Sequence, residues 1–290
     1  MARIVVSIVG VILATILGIV VGVSRMSGNW IISKVALVYI EFFRNVPLLL
    51  HLFFWFYIIL SFPPVREGYV IFDRFYLNNA GVSLPWFFPN ELATAAMWFA
   101  GLLIAICAAV LVHRKMTKRE RETGVPAYPL AIGIGTFFVV AVLTWIIVGV
   151  IAGENPMVLS NPEPYGKFGR ISGGLTLPGG LIALLIGLVT YTSSFIAEIV
   201  RAGIQSVDRG QKEASRAVGL SAMATLRNVT FPQALKVIVP PLISQYLNLT
   251  KNSSLAGAIG YSDLTNVAKT MTQTAPAVSI FILIMLAYVA

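Results

Sequence analysis

The residues best spaced to act together in this 290-residue chain lie in one polar stretch, GQKEASRAVGLSAMATLRNVTFPQAL, residues 210–235. Asp208 followed three residues later by Gln211 resembles a capping box, which predicts a helix starting there. Ala214, Ala217 and Val218 then fall at i, i+3 and i+4, while Lys212, Ser215 and Arg216 turn elsewhere. Gly219 stands where such a helix would end in a left-handed residue, a conformation glycine adopts without a Cβ penalty. Phe231-Pro232 marks the next helix start, where proline is preorganised and loses no needed hydrogen bond. The chemistry open to this segment is recognition: a short helix offering one small apolar face. Two recipients fit, a lipid surface and a protein groove. The face carries Ala and Val without the Trp, Phe or Leu that grip lipid, which favours the groove.

Covalent chemistry has little support elsewhere. A phosphate loop of the GxxxxGK[ST] type is absent, since the single Gly-Lys pair, Gly166 and Lys167, has Asn161 where the first glycine belongs. The GxSxG and HExxH patterns and suitably paired carboxylates are also missing. With one cysteine, Cys107, no disulfide can close within the chain, and two histidines, His51 and His113, do not make a Cys/His metal cluster. His51 reads as a packed or interfacial side chain, and His113 belongs to a basic loop.

The elements that must position the polar stretch are set by composition. Hydrophobic residues make up 57% of the chain and charged residues 11%, against about 25% charged in a soluble domain. A membrane protein follows. Runs long enough to cross about 30 Å of hydrocarbon are Ile4 to Val23, about Val46 to Phe62, Leu92 to Val112, Ala127 to Ala152, Leu175 to Ala197 and about Phe231 to Thr250. The first is too long for a signal-peptide core. A seventh run, Ala277 to Ala290, is fourteen residues long, which reads as a re-entrant segment or as a chain truncated at its C-terminus and perhaps its N-terminus. No 20–50-residue repeat is present.

Charge sets the sides. The net charge of +9 gathers beside apolar runs, which excludes nucleic acid as the reason for it. Arg114, Lys115, Lys118, Arg119 and Arg121 follow the third run, and Arg201, Arg209, Lys212, Arg216 and Arg227 follow the fifth. Both segments, 113–126 and 198–232, are therefore read as cytoplasmic, and the 62–91 and 153–174 loops as periplasmic. Trp30, Trp86, Phe87 and Phe88 suit an interfacial belt or simple packing equally well.

The spacing from Glu213 to Pro232 then becomes specific. Glu213-Ala214, Gly219, Val229 and Phe231-Pro232 resemble the EAA signature of permease subunits of binding-protein-dependent ABC importers, with Ser215, Val229 and Phe231 as conservative departures. YIEFFRNVPLLL is similar to a segment of polar amino-acid permeases at Glu41, Arg44, Pro47, Leu48 and Leu49, with His51 where Gln is usual. FIAEIVRAGIQSVDRGQKEA matches at Glu198, Arg201, Gly203 and Gln211. LTKNSSLAGAIGYSDL, containing Lys251 and Ser254, resembles the segment after the signature, with Asn252 where an acid is common. The resemblance covers roughly Gly10 to the C-terminus, with the third and fourth spans added relative to five-span members.

What the resemblance implies is an all-α, polytopic type I importer permease of about seven transmembrane helices, one domain over 1–290, in a bacterial inner membrane. Its ATPase-coupling residues would be Gln211, Glu213, Ala214, Gly219 and Pro232, on a helix that docks into a groove of an ABC ATPase. A periplasmic amino-acid-binding protein and a second permease, identical or different, complete the implied assembly. The chain itself would bind no cofactor, ATP and magnesium belonging to the ATPase. Glu41 and Arg44, three apart, can pair on one helix face, or Arg44 can simply anchor the chain at the membrane edge. Tyr191, Ser194, Gln245, Asn248 and Asn252 could line a wet route for a polar amino acid, although hydroxyls can equally bond their own helix carbonyls. An ion-coupled secondary transporter or channel is the alternative. It is disfavoured because Pro240-Pro241, the one break in a span, has no counterpart in another half.

Overall fold

The computed structural model describes residues 2–165 and 170–261, with Val278, Ser279, Ile282 and Leu286 beyond them. Apart from those four, the expectations for the final run 277–290, the stretch 262–276 and Lys167 lie outside the described residues. In chain order the helices are α1 (Ala2–Arg25), α2 (Trp30–Asn45), α3 (Leu48–Leu60), α4 (Leu92–Thr123), α5 (Pro129–Ala152), α6 (Gly179–Gln205), α7 (Arg209–Ala217), α8 (Ala222–Thr225) and α9 (Phe231–Asn252). Short strands accompany them: β1 (Tyr69–Ile71), β2 (Phe75–Asn78), β3 (Gly81–Leu84), β4 (Trp86–Pro89), β5 (Met157–Ser160), β6 (Glu163–Tyr165), β7 (Arg170–Ser172) and β8 (Leu175–Pro178). These strands give structure to the two loops that the sequence reading left irregular.

Among the described residues, α1, α4, α5 and α6 are each long and apolar enough to cross a membrane, and α2 with α3 makes a fifth span if the bent pair counts as one. The expectation of about seven includes two further segments. α9 is long enough, but Gln233, Lys236, Gln245, Asn248, Lys251 and Asn252 leave it without a stretch as apolar as those in the spans named above. The seventh run falls outside the described residues. Three boundaries also move. The second span does not simply begin at Val46: α2 is already helical from Trp30, and it meets α3 at 105°. Val46 is held extended by the proline after it, and Pro47 caps α3, so the angle is written into the dipeptide. The fifth span starts as strand β8 and becomes helix only at Gly179. The basic loop 113–126 is mostly helix, because nothing breaks α4 until Gly124 adopts a φ of +66°.

The chain divides into two compact units where the sequence suggested one domain. The unit of Met1–Tyr69, Leu77–Val82 and Leu177–Ala290 is organised around α6, whose buried face is mainly Gly, Ala and Ser with Leu184, Leu188 and Ile196. α1 meets it through Ala14, Gly18 and Gly22, one helix turn apart. A Cβ at Gly18 would lie 2.6 Å from Ile196 Cβ, and one at Gly22 would lie 2.6 Å from the Ala197 carbonyl oxygen. Such small-xxx-small spacing lets backbones approach where lipid supplies no hydrophobic drive. On other sides α6 takes α3, with Leu52 against Gly187, and α9, with Ile238 against Gly203. Polar ties add direction: Tyr39 shares a 2.7 Å hydrogen bond with Ser193 Oγ, and Thr15 one of 2.9 Å with the Tyr246 hydroxyl.

The other unit, Val70–Tyr76 and Ser83–Thr176, is the α4–α5 hairpin with its outer strands. Gly101 admits Thr144, and the Trp98 and Trp145 rings meet edge-on at 4.9 Å. At the outer end β4 pairs antiparallel with β5, Trp86 opposite Ser160 through Pro89 opposite Met157, and Glu154 accepts from Asn90 and from Thr94 at 3.0 Å.

The α1–α6 contact gives a test. Gly22→Leu is expected to cost about 1–3 kcal/mol through overpacking against backbone that cannot yield. It should lower the melting temperature of the detergent-solubilised protein. Gly28→Leu, at a position with nothing within 4 Å of its Cβ, serves as the neutral comparison. Equal melting of the two variants would contradict this packing.

Candidate functional site

α6 ends at Ser206, whose hydroxyl donates to the Gly203 carbonyl at 2.8 Å, and Val207 then buries against Ala234 and Ile238 of α9. That anchor fixes where the polar stretch begins. Asp208 caps α7 by accepting from Gly210 N–H at 2.5 Å, so the cap forms as read. The reciprocal half of the capping box does not: the Gln211 side chain accepts instead from Gln233 Nε2 of α9 at 3.4 Å. α7 thus runs Arg209–Ala217 and leans on α9 by one amide pair.

The turn after α7 is a Schellman motif. Gly219 N–H donates to the Arg216 carbonyl at 2.9 Å, Leu220 N–H to the Ser215 carbonyl at 3.0 Å, and Gly219 takes a φ of +83°. Ser221 starts α8 by accepting from Ala224 N–H at 3.2 Å. Between the arms of this elbow, Ser215 is buried and donates to the Lys212 carbonyl at 2.8 Å and to Thr225 Oγ1 at 3.0 Å. The sequence reading turned Ser215 away from the apolar face without assigning it this tie.

α8 passes into a π turn, Leu226–Thr230, and that turn into α9 without a break. The expectation that Pro232 opens a fresh helix is therefore corrected. The Phe231 N–H reaches back to the Leu226 carbonyl, a five-residue step, and the widened turn accommodates a proline that has no N–H to offer. Pro240 and Pro241 also sit inside α9, which continues through both to Asn252.

The elbow leaves a surface. Glu213, Ala214, Ala217 and Val218 are exposed, Val218 by 76% of its area, and Pro232 and Phe231 are exposed as well. The residues read as an apolar docking face are therefore open, while the face tied inward is carried by Ser215 alone. Such an arrangement can present a short helix to another protein as a preformed unit.

A second cluster lies one helix up. Arg201 holds Glu198 in a two-pronged pair, Nε to Oε2 at 3.1 Å and Nη2 to Oε1 at 2.5 Å, and its Nη1 donates to Gln205 at 2.7 Å. At the same i, i+3 spacing Glu41 and Arg44 could either pair or leave Arg44 as an anchor, and among the described residues they form no ion pair. Arg44 lies over the Phe195 ring at 5.4 Å, while Glu41 accepts from Asn45 at 3.3 Å. Spacing alone did not separate the two pairs; the aromatic ring beside Arg44 did.

The residues read as a polar route are only partly gathered. Ser194 is fully buried and donates to the Tyr191 carbonyl at 2.6 Å, the self-bonding alternative. Tyr191 is half-buried between Phe195 and His51, whose ring is packed and whose two nitrogens have no hydrogen-bond partner among the described residues. Gln245, Asn248 and Asn252 share a face of α9 by their spacing, and among the described residues none of their side chains is hydrogen bonded. At the end of α9 Lys251 is exposed, and Ser254 bonds its carbonyl at 2.6 Å within the 3₁₀ segment Ser253–Ile259.

With this geometry in hand, comparison with known proteins is direct. A family model described as "Binding-protein-dependent transport system inner membrane component" matches residues 14–290. The general L-amino acid transport system permease protein AapQ of Rhizobium johnstonii is 42% identical over 279 residues, covering 95% of this chain and 67% of that protein. The glutamate/glutamine/aspartate/asparagine transport system permease protein BztB of Rhodobacter capsulatus is 36% identical, covering 92% and 68%. A solved structure described as "Crystal structure of an amino acid ABC transporter with histidines" shares the fold at a TM-score of 0.52 and 20% identity, covering 99% of this chain and 82% of its own.

The elbow makes a measurable prediction. Ser215→Ala removes a buried hydroxyl bond of about 1 kcal/mol, so amide exchange over residues 215–225 should quicken roughly fivefold. Thr225→Ser, which keeps the oxygen, should stay near the parent. Unchanged exchange in Ser215→Ala would show that the tie does not hold the elbow.

Proposed function

The chain belongs to the binding-protein-dependent transport system inner membrane components, and from that premise we propose that it is the permease subunit of an ATP-driven importer of polar L-amino acids. The amino-acid class follows the relatives' names, which cover general L-amino acids and the glutamate, glutamine, aspartate and asparagine group. A periplasmic binding protein delivers the substrate, a second permease completes the pathway, and a separate ABC ATPase supplies the energy. ATP and magnesium are held by that ATPase, and this chain performs no covalent step.

The observation that carries the reading is the α7 elbow: an exposed Glu213–Val218 helix face on a turn locked by Gly219 and by the Ser215–Thr225 bond. A groove on the ATPase takes that face, and Val207 with the Gln211–Gln233 pair links its movement to α9. Alternating access then amounts to α9 and α6 shifting together. The amides Gln245, Asn248 and Asn252, without side-chain partners among the described residues, offer donors and acceptors to a zwitterion as the route opens. Tyr191 belongs to the wall of that route, while Ser194, turned into its own helix, stiffens it. The assembly sits in a bacterial inner membrane.

Gly219→Pro cannot adopt a φ of +83°, and Glu213→Lys reverses charge on the open face. Both variants should insert and assemble in normal amounts with the second permease, yet lose uptake and the substrate-stimulated part of ATP hydrolysis. Normal uptake in either would remove the coupling role from α7. Uptake by this chain alone, driven by an ion gradient, would replace the whole reading with the secondary-transporter alternative.

A further inference from the structure

We propose that the inner end of the α4–α5 hairpin is a binding site for an anionic phospholipid, with one acyl chain in the groove between the helices and the headgroup phosphate on the basic end of α4. This goes beyond the transport reading, and only the subunit assembly used to test it rests on that reading.

The groove, about 420 Å³, is walled by Ile106, Val110, Ile134, Phe137 and Phe138 and closed at its inner end by His113 packed over Gly133. Glycine at 133 keeps the floor open: a Cβ there would crowd His113 Cβ at 3.3 Å. The walls are almost wholly apolar, and of the most apolar window of α5 only 6% is buried within the chain. The described residues leave this surface open, and an open apolar groove at membrane depth suits an acyl chain.

Charge then selects which lipid. Leu92–Val112 accounts for the thickness of the hydrocarbon, yet α4 continues as helix to Thr123. The extension holds Arg114, Lys115, Lys118, Arg119 and Arg121 against Glu120 and Glu122, five cations to two anions. Val110, Arg114, Thr117 and Arg121 fall at i, i+4, i+7 and i+11, so one stripe leads from the groove wall to two arginines. Both are exposed and, among the described residues, neither is hydrogen bonded or ion paired. Arg114 comes within one turn of the hydrocarbon edge, at headgroup depth, and its planar guanidinium matches phosphate. Lys118 lies beside the stripe, four residues on from Arg114, and stands 3.7 Å from Glu122 at the surface, while Arg119 falls on the opposite side of the helix. Glu120, the acid nearest the stripe, lies a turn and a half beyond Arg114. Charge by charge, the stripe complements a phosphodiester that bears a net negative charge better than a zwitterionic headgroup, which brings its own cation.

The test uses the full chain assembled with its partner subunits in detergent, titrated separately with phosphatidylglycerol and phosphatidylcholine and read by native mass spectrometry. Phosphatidylglycerol should be retained preferentially. A surface cation contributes about fivefold in affinity, so Arg114→Gln with Arg121→Gln should weaken that retention roughly 25-fold. Arg119→Gln, on the other face, should change it by less than about fivefold. Glycerol 3-phosphate, which has the phosphate without the chains, should fail to displace the lipid at millimolar concentration. Equal retention of the two lipids, or unchanged phosphatidylglycerol retention in the double arginine variant, would overturn the proposal. Loss of the ATPase from the complex in that variant, with lipid retention unchanged, would assign the stripe to a protein contact instead.

Discussion

The approach of α1 to α6 at backbone distance is the constraint on which the larger unit rests. Gly18 and Gly22 bring one helix against Ile196 and the Ala197 carbonyl with no side chain between, and Gly187 and Gly203 let α3 and α9 reach α6 in the same way. In hydrocarbon the helices gain nothing from hiding apolar area, so fit and hydrogen bonds must hold them. Tyr39–Ser193 and Thr15–Tyr246 supply those bonds at two heights. With α6 clamped on several sides, its C-terminal end is a fixed point, and everything from Val207 onward is positioned from it.

Polarity is divided accordingly. Inside the bundle, Ser193, Ser194 and Thr190 return their hydroxyls to helix carbonyls, so buried oxygens cost little. The Glu198–Arg201–Gln205 cluster keeps its charges paired where α6 leaves the core. Past Asp208 the described chain exposes Glu213, Ala217 and Val218 on a preformed helix. That surface spans the stretch from Glu213 to Pro232 on which the sequence resemblance rests.

Much of this was legible in the sequence because period and punctuation carry it. The apolar runs, the Asp208 cap, the Gly219 turn and the Glu213–Pro232 spacing all follow from local chemistry. What was not legible depends on partners distant in sequence. Ala14, Gly18 and Gly22 are the exception, since small residues spaced by four in an apolar helix already suggest close packing. The Glu198–Arg201 and Glu41–Arg44 pairs look alike in sequence, and only Phe195 decides between them. Nor does composition reveal that Ser215 meets Thr225, or that a π turn absorbs Pro232, because both depend on how the elbow folds back. The angle between α2 and α3 lay in Val46-Pro47, where the proline could be read and its direction could not.

The Schellman turn at Gly219 and the Ser215–Thr225 bond have a mechanical corollary. α7 is nine residues long, about 13 Å of helix. Bonded at its far end to α8, which runs unbroken into α9, it has no slack joint along its length. A push on its tip would therefore turn the Phe231 end of α9 if the joint keeps the bonds seen here. Stiffness, rather than affinity, is what the glycine and the buried serine contribute.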